Sequence, residues 1–252
     1  MNLLLPDRFD DPGTGYAYTR TIFEEVAGGG PYGDRRGPRP GRHLGATRRD
    51  TLRPGFDEAV RAAYEEDYPV LVRAAGGSAI AAGRGTFGFS IVRPAEDTRR
   101  DPRKRYDEAA ALVLGAFSRL GVDAGVGEVR DEFCPGGHSI RIGDFESGTK
   151  VVGIAQRITR KATSIGGIVL VHGEKDLVRV LSRVYDAMNI PIRPGSVGNL
   201  CKAGSKASVE DAIAALAQEA RLRYDATPVP LDEKTLRKAR YDRAGYLVQP
   251  PA

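Results

Sequence analysis

Residues 73–90 read RAAGGSAIAAGRGTFGFS, and this stretch joins a short apolar strand to a longer alternating one. Arg73 ends the first strand, and Gly76, Gly77 and Ser78 follow it. Glycines lack a Cβ, so a ligand can approach backbone N–H groups closely, and an arginine can neutralise an anion. The pattern therefore indicates a ligand-binding loop, with a tight hairpin between two strands as the alternative interpretation.

A second stretch, at 148–157, reads GTKVVGIAQR. Lys150 stands at the start of a predicted strand, where an ammonium group could hold a carbonyl or phosphate oxygen as a point charge. Gly153 and Ala155 alternate with larger residues, so one face of the strand is smooth enough for an extended ligand. An edge strand with a solvated lysine is the alternative.

The chain contains two cysteines, Cys134 and Cys201, which are too few for a disulfide framework. Cys134 lies between acidic residues and Pro-Gly-Gly, so we expect it on a turn, where a thiol can be exposed and activated by a nearby lysine or histidine. An inert, buried cysteine is the alternative. His138 is a candidate general base, with a structural role in the turn as the alternative. The histidines and cysteines lack metal-ligand spacing, so no metal site is predicted.

Periodic patterns predict an α+β (mixed α/β) fold, with a central mixed, largely antiparallel sheet flanked by helices. We expect a catalytic domain at 1–195 with a mobile loop at 28–42, and a small C-terminal helical segment at 196–252 packed on that domain. The predicted helices are 16–26, 56–68, 103–120, 176–188, 208–222 and 232–240, and the main predicted strands lie at 43–47, 69–74, 85–94, 124–129 and between 138 and 173.

Composition favours an ordinary globular protein, because 41% of the 252 residues are hydrophobic and 28% are charged. No apolar run approaches the ~20 residues that span a bilayer, and MNLLLPDRFDD does not resemble a signal peptide, so we expect a cytoplasmic protein without membrane contact. The net charge of +5 suits an acidic carrier protein or a solvated arginine-rich surface. The basic residues are interleaved with acids, which does not favour nucleic acid.

Taken together and in this order, the stretches resemble the lipoate–protein ligase A-like catalytic domain of the biotin/lipoate protein ligase and octanoyltransferase superfamily. That family carries an arginine followed by a Ser-Gly-Gly-Gly loop and a strand ending in Phe-Ser, which 73–90 matches without gaps. It also carries Gly-x-Lys-x-x-Gly-x-Ala-Gln-Arg, which 148–157 matches. The likeness covers roughly 40–190 and implies a biotin/lipoyl ligase-like fold.

The resemblance implies that the glycine loop and Lys150 enclose a lipoyl or octanoyl chain, with Lys150 hydrogen-bonded to its carbonyl. It implies transfer of that group to a lysine of a lipoyl domain, either on a 2-oxoacid dehydrogenase E2 or on a glycine-cleavage carrier. Such domains are usually acidic. The implied acyl-binding residues are Arg73, Gly76, Gly77, Ser78, Gly153 and Ala155.

One octanoyltransferase branch of the family has a thiol in a Cys-x-x-x-x-Ser pattern, which Cys134 and Ser139 match. In that branch the thiol takes octanoyl from acyl carrier protein as a thioester, and no cofactor is required. The first alternative is a lipoate–protein ligase that uses ATP and Mg to form a lipoyl-adenylate. The second is a non-catalytic acyl- or carrier-binding protein on the same scaffold.

The chain departs from the family pattern at three places, one single residue and two pairs. Ser78 stands at the third glycine of the loop, and Ala82-Gly83 stands where a His-Asp pair is usual. His138-Ser139 stands where lipoate ligases carry Asn-Asp. These departures bear on any phosphate or adenylate contact that the usual residues would make.

Overall fold

A computed structural model describes residues 2–4, 9, 11–30, 33–35, 41–95 and 102–251. Six helices are present in this part of the chain: α1 Pro12–Ala27, α2 Phe56–Glu65, α3 Pro102–Arg119, α4 Glu174–Ala187, α5 Val209–Tyr224 and α6 Glu233–Asp242. The strands are β1 Asn2–Leu4, β2 Gly33–Arg35, β3 His43–Thr47, β4 Val70–Arg73, β5 Ile80–Ala82, β6 Thr86–Pro94, β7 Gly125–Val126, β8 Ile140–Ile142, β9 Thr149–Ile158, β10 Ala162–Leu170, β11 Thr227–Val229 and β12 Leu247–Val248.

The larger sheet has eight strands in the order β11-β1-β2-β6-β10-β9-β8-β7. Neighbouring strands are antiparallel along the part of this order that runs β2-β6-β10-β9-β8-β7. Strand β1 runs parallel to both of its neighbours, β11 and β2. One face of the sheet packs on α3 and α5, because alternate strand residues are large and apolar there. The core on this face includes Phe87, Phe89, Val152, Val169, Leu112, Val113 and Leu216.

The smaller sheet has the order β12-β4-β3-β5 and packs with α2 and α4. Strand β3 lies in its middle, parallel to β4 and antiparallel to β5. The segment from Arg73 to Ile80 therefore crosses over β3 instead of forming a hairpin between two paired strands. This crossover carries the glycine loop to one end of the smaller sheet.

The predicted mixed fold, with a largely antiparallel sheet flanked by helices, is confirmed. The helices follow their sequence signals: Ser208 and Asp211 cap each other at the start of α5. The buried residues of α4 recur at helical spacing and form one apolar stripe: Leu177, Val180, Leu181, Val184 and Tyr185. Helix α5 packs on α3, and α6 packs on α1. The division of the chain at residue 195 stays a prediction.

Within the predicted mobile loop at 28–42, residues 31–32 and 36–40 lie outside the described residues, while β2 is a strand of the larger sheet. Five strands of two or three residues, β1, β2, β5, β11 and β12, were not expected from sequence, because they are too short to show alternation. No helix in the described part of the chain is long and apolar enough to cross a membrane.

Candidate active site

Cys134 lies in the turn that leads from residue 129 to β8, and its backbone is left-handed, with a φ of 45°. This conformation costs a residue with a side chain about 1 kcal/mol or more. It places the thiol against the glycine loop: the Ser78 N–H donates to Cys134 Sγ at 3.2 Å, and Arg73 Nη2 donates at 3.5 Å. Both donors stabilise negative charge on sulfur, and the thiolate is the nucleophilic form of cysteine.

The glycine loop is built to let backbone approach this sulfur. Arg73 Nη2 also donates to the Ser78 carbonyl at 2.8 Å, which closes the loop on itself. Gly77 has a φ of 100°, and a Cβ added there would lie 2.4 Å from Cys134 Sγ. Gly76 is exposed, and a Cβ there would meet nothing within 4 Å. Of the predicted loop residues, Arg73, Gly77 and Ser78 surround the sulfur, whereas Gly76 lies at the tip.

Tyr185 of α4 ties the cysteine turn to the glycine loop. The Cys134 N–H donates to Tyr185 Oη at 2.6 Å, and the same hydroxyl donates to the Ala79 carbonyl at 2.9 Å. Burial, reinforced by the nearby Cys134 sulfur, raises the pKa of Tyr185 far above its ordinary value. The phenol is therefore neutral and serves as both donor and acceptor.

Replacing Tyr185 with phenylalanine is expected to destabilise the fold by about 2 kcal/mol, because it leaves a buried N–H and a carbonyl without partners. We also expect acylation of Cys134 to slow roughly tenfold, since the turn loses its tie to the loop. Urea denaturation and mass-spectrometric acylation rates measure the two effects. Tyr64→Phe, which removes a hydroxyl bonded to the Val248 carbonyl, is the matched control and should leave the acylation rate unchanged.

Lys150 is the second residue of β9, an interior strand between β8 and β10, and it is only 1% exposed. This burial excludes the solvated edge lysine that the sequence left open. Its Nζ donates to the Glu132 carboxylate at 2.9 Å, to the Phe133 carbonyl at 2.9 Å and to the Cys134 carbonyl at 2.7 Å. The ammonium group is thus hydrogen-bonded to the backbone carbonyl of the residue that carries the thiol.

His138 faces α3. Its ring stacks on Tyr106 with centroids 4.5 Å apart, and its Nε2 lies 3.4 Å from Asp107 Oδ1. These contacts join the cysteine turn to the start of α3, which is the structural role considered from sequence. A general-base role for His138 toward Cys134 stays a prediction.

Small residues form a strip on one face of the larger sheet. Gly153 pairs with Ile168, and Ala155 pairs with Gly166, which in turn pairs with Ser90 of β6. Directly opposed residues of antiparallel strands project from the same face, so these residues lie side by side, and Ile168 is the one large side chain among them. All but Ile168 are half-buried.

The strip starts beside the ammonium group. A Cβ added at Gly153 would lie 3.2 Å from Lys150 Cε and 3.6 Å from Nζ. The face therefore offers a shallow apolar surface that leads away from the cysteine turn. An unbranched hydrocarbon chain can lie along such a surface because, Ile168 apart, the paired residues carry a short side chain or none.

Sequence reasoning missed Glu132 and Tyr185. Glu132 is 1% exposed, although it belongs to an acidic run that looks like an ordinary surface turn. Tyr185 belongs to the apolar stripe of α4, where an aromatic residue is expected to be a core residue. The only available signal was the acidic pair Asp131-Glu132, one residue removed from Cys134, which does not show which carboxylate is buried.

Comparison with known proteins identifies the family of the chain. Residues 56–221 match the model of the lipoyl protein ligase A/B catalytic domain. An octanoyl-[GcvH]:protein N-octanoyltransferase of Geobacillus kaustophilus is 31% identical over 130 residues, which are 52% of this chain and 44% of that protein. A lipoyl-[GcvH]:protein N-lipoyltransferase of Listeria monocytogenes is 25% identical over 126 residues, which are 50% of this chain and 44% of that protein.

The match thus spans less than half the length of these curated relatives. Among solved structures, a bi-partite lipoate protein ligase from Thermoplasma acidophilum has the same fold. Its TM-score is 0.70 at 20% identity, over 96% of this chain and 91% of that one. Because the family model covers well over half of the residues, the chain belongs to the lipoyl protein ligase A/B catalytic domain family.

Proposed function

We propose that this chain transfers an octanoyl or lipoyl group to a lysine of a lipoyl-domain protein, through an acyl-thioester on Cys134. The observation that carries the proposal is the environment of Cys134 Sγ, which accepts hydrogen bonds from the Ser78 N–H and from the Arg73 guanidinium. The backbone carbonyl of the same cysteine accepts a hydrogen bond from the Lys150 ammonium group. The names of the relatives, which describe octanoyl and lipoyl transfer from GcvH, support the same class of reaction.

The reaction has two steps. The Cys134 thiolate attacks the acyl carbonyl of the donor, the bond to the donor's sulfur or nitrogen breaks, and the departing group takes up a proton. The acceptor lysine then attacks the thioester as a neutral amine, the carbon–sulfur bond breaks, and Cys134 is regenerated. The lysine amine loses its extra proton as the amide forms.

Two cations, Arg73 and Lys150, can stabilise the negative charge that develops on the acyl carbonyl oxygen. Arg73 Nε is buried and has no hydrogen-bond acceptor within the described part of the chain, so one donor of the guanidinium remains for a carbonyl oxygen. Lys150 already donates three hydrogen bonds, so its bonding to the acyl carbonyl requires that one of them be exchanged. Either donor, held away from water, stabilises charge that forms only in the transition state.

The acyl chain would lie on the strip that contains Gly153 and Ala155. The acceptor is a lipoyl domain of an E2 subunit or a glycine-cleavage carrier, and the donor is acyl carrier protein or a GcvH-type carrier. The net charge of +5 suits an acidic carrier. A reducing compartment such as the cytoplasm suits a thiol nucleophile, and Cys134 and Cys201 are both free.

The ligase alternative needs ATP and Mg to form an adenylate. Ala82 and Gly83, which replace the usual His-Asp pair, are buried and offer no polar side chain to a phosphate. This substitution weighs against the ligase reaction.

The test is to incubate the protein with an octanoylated carrier, or instead with octanoate, ATP and Mg, and to follow its intact mass. We expect one octanoyl group on the protein with the carrier alone, and we expect it to disappear when an unmodified lipoyl domain is added. Modification of the lipoyl domain only in the presence of ATP would establish the ligase instead. Tight acyl binding without any transfer would establish a binding protein.

A further inference from the structure

We infer that Glu132 is a positioning residue for Cys134: its buried carboxylate organises the cysteine turn through Lys150. The inference rests on the proposed function for its kinetic consequence. The geometry that supports it belongs to the turn itself.

Glu132 is the centre of the turn. Its Oε2 accepts from the Val129 N–H at 2.9 Å, and its Oε1 accepts from the Gly136 N–H at 3.2 Å and from the Ser139 hydroxyl at 2.5 Å. Together with Lys150, four donors converge on this one carboxylate. Val129 precedes Cys134 in the sequence, whereas Gly136 and Ser139 follow it. The carboxylate therefore joins the two ends of the turn from 129 to 139, and the turn wraps around it.

The charge on this carboxylate is costly to bury. The side chains of Glu132 and Lys150 are 0% and 1% exposed, and a buried ion pair of this kind gains little stability over an apolar pair of similar size. Removing either partner leaves the other charge uncompensated. The pair is therefore better explained by the arrangement that it imposes than by a contribution to stability.

That arrangement concerns the backbone of the cysteine. Lys150 takes one acceptor from each of three successive residues: the Glu132 carboxylate, the Phe133 carbonyl and the Cys134 carbonyl. Fixing two successive carbonyls fixes the peptide planes on either side of the Cys134 Cα. The left-handed φ of Cys134, and with it the direction of Sγ toward Ser78, follows from this constraint.

Glu132 thus acts on Cys134 indirectly, through Lys150. It neutralises Lys150 and orients its ammonium group, which holds the two carbonyls that aim the thiol. Ser139, which matches the serine of the Cys-x-x-x-x-Ser pattern, contributes by donating to the same carboxylate oxygen. Its hydroxyl is 2.5 Å from Glu132, so its place in the turn follows from this bond.

Glu132→Gln tests the inference, because it keeps the size of the side chain and removes its charge. At a temperature well below unfolding, we expect the rate constant for Cys134 acylation to fall roughly 10- to 100-fold, with the KM for the octanoylated carrier changed less than about threefold. Glu132→Asp retains the charge and should recover part of the rate. Ser139→Ala, a milder change, should slow acylation roughly threefold to tenfold.

The matched control is Glu219→Gln. Glu219 is also buried and pairs with two arginines, Arg119 and Arg223, but it lies on α5. We expect this variant to lower the melting temperature and to leave the acylation rate constant unchanged. A Glu132→Gln protein that loses stability but acylates as fast as the wild type would show a merely structural role and overturn the inference.

Two further outcomes keep the test decisive. If Glu132→Gln does not fold, an unchanged acylation rate in Ser139→Ala overturns the inference. If the wild-type protein never forms a thioester, the proposed function fails, and hydrogen exchange of the peptide spanning 129–139 then tests the turn alone. Glu132→Gln should speed this exchange at least about tenfold and Glu219→Gln should not, because Glu132 binds two backbone amides of the turn; equal exchange in both variants would overturn the inference.

Discussion

Cys134→Ala is expected to lower the rate of octanoyl transfer by a factor on the order of 10³ or more, because removal of a nucleophile eliminates the covalent step altogether. The variant should fold normally, since the thiol is only partly buried and alanine fits the space that it leaves. Two measurements are decisive: single-turnover transfer to a lipoyl domain, and the intact mass of the protein after exposure to the octanoylated carrier.

Cys201→Ala is the control for this prediction. Cys201 is the other free thiol of the chain, and it is exposed. Its removal should leave both transfer and the octanoyl adduct unchanged. Equal transfer by Cys134→Ala and by the wild-type protein would exclude the thioester and require direct attack on the donor or on an adenylate.

Gly77→Ala is the second change with a large expected effect. The added Cβ would lie 2.4 Å from Cys134 Sγ and 3.1 Å from Arg73 Nη2, so the loop or the sulfur must move. The φ of 100° also lies in a region that alanine adopts only with strain. Displacement of a nucleophile by about 1 Å can cost roughly 10²-fold in rate, and we expect a loss of this size in the acylation of Cys134.

Gly76→Ala is the matched control, one residue away. Its Cβ would meet nothing within 4 Å, so the rate of acylation should stay within about threefold of the wild type. Rapid-quench measurement of octanoyl-enzyme formation compares the two variants directly. Equal rates in Gly77→Ala and in the wild type would show that the loop yields without disturbing the sulfur, and that close approach at Gly77 is not required.

The elements of the fold were predictable from sequence to the extent that periodicity marks them. Helices α3 and α4 and strands β6, β9 and β10 are long enough to show their apolar stripe or alternation, and they lie close to where the sequence predicts them. Strands of two or three residues show no period. The separation of the strands into two sheets depends on pairings between distant segments, which no local pattern reveals.

The candidate site shows a similar division. The glycine loop, Cys134 and Lys150 stand in recognisable motifs, so their convergence could be expected. The partners of these residues could not, because Glu132 looks like a surface acid and Tyr185 looks like a core aromatic. Their functions depend on burial and on hydrogen bonds that form only when segments from different parts of the chain come together.

The contacts of Cys134 with Ser78 and with Tyr185 join positions 56 and 51 residues apart in the chain. Local folding of the turn cannot supply them, so both must await docking of the smaller sheet and α4. A nascent or partly unfolded polypeptide accordingly carries an unremarkable thiol. Chemical labelling of that single atom would report, in refolding experiments or during synthesis, the moment at which tertiary assembly is complete.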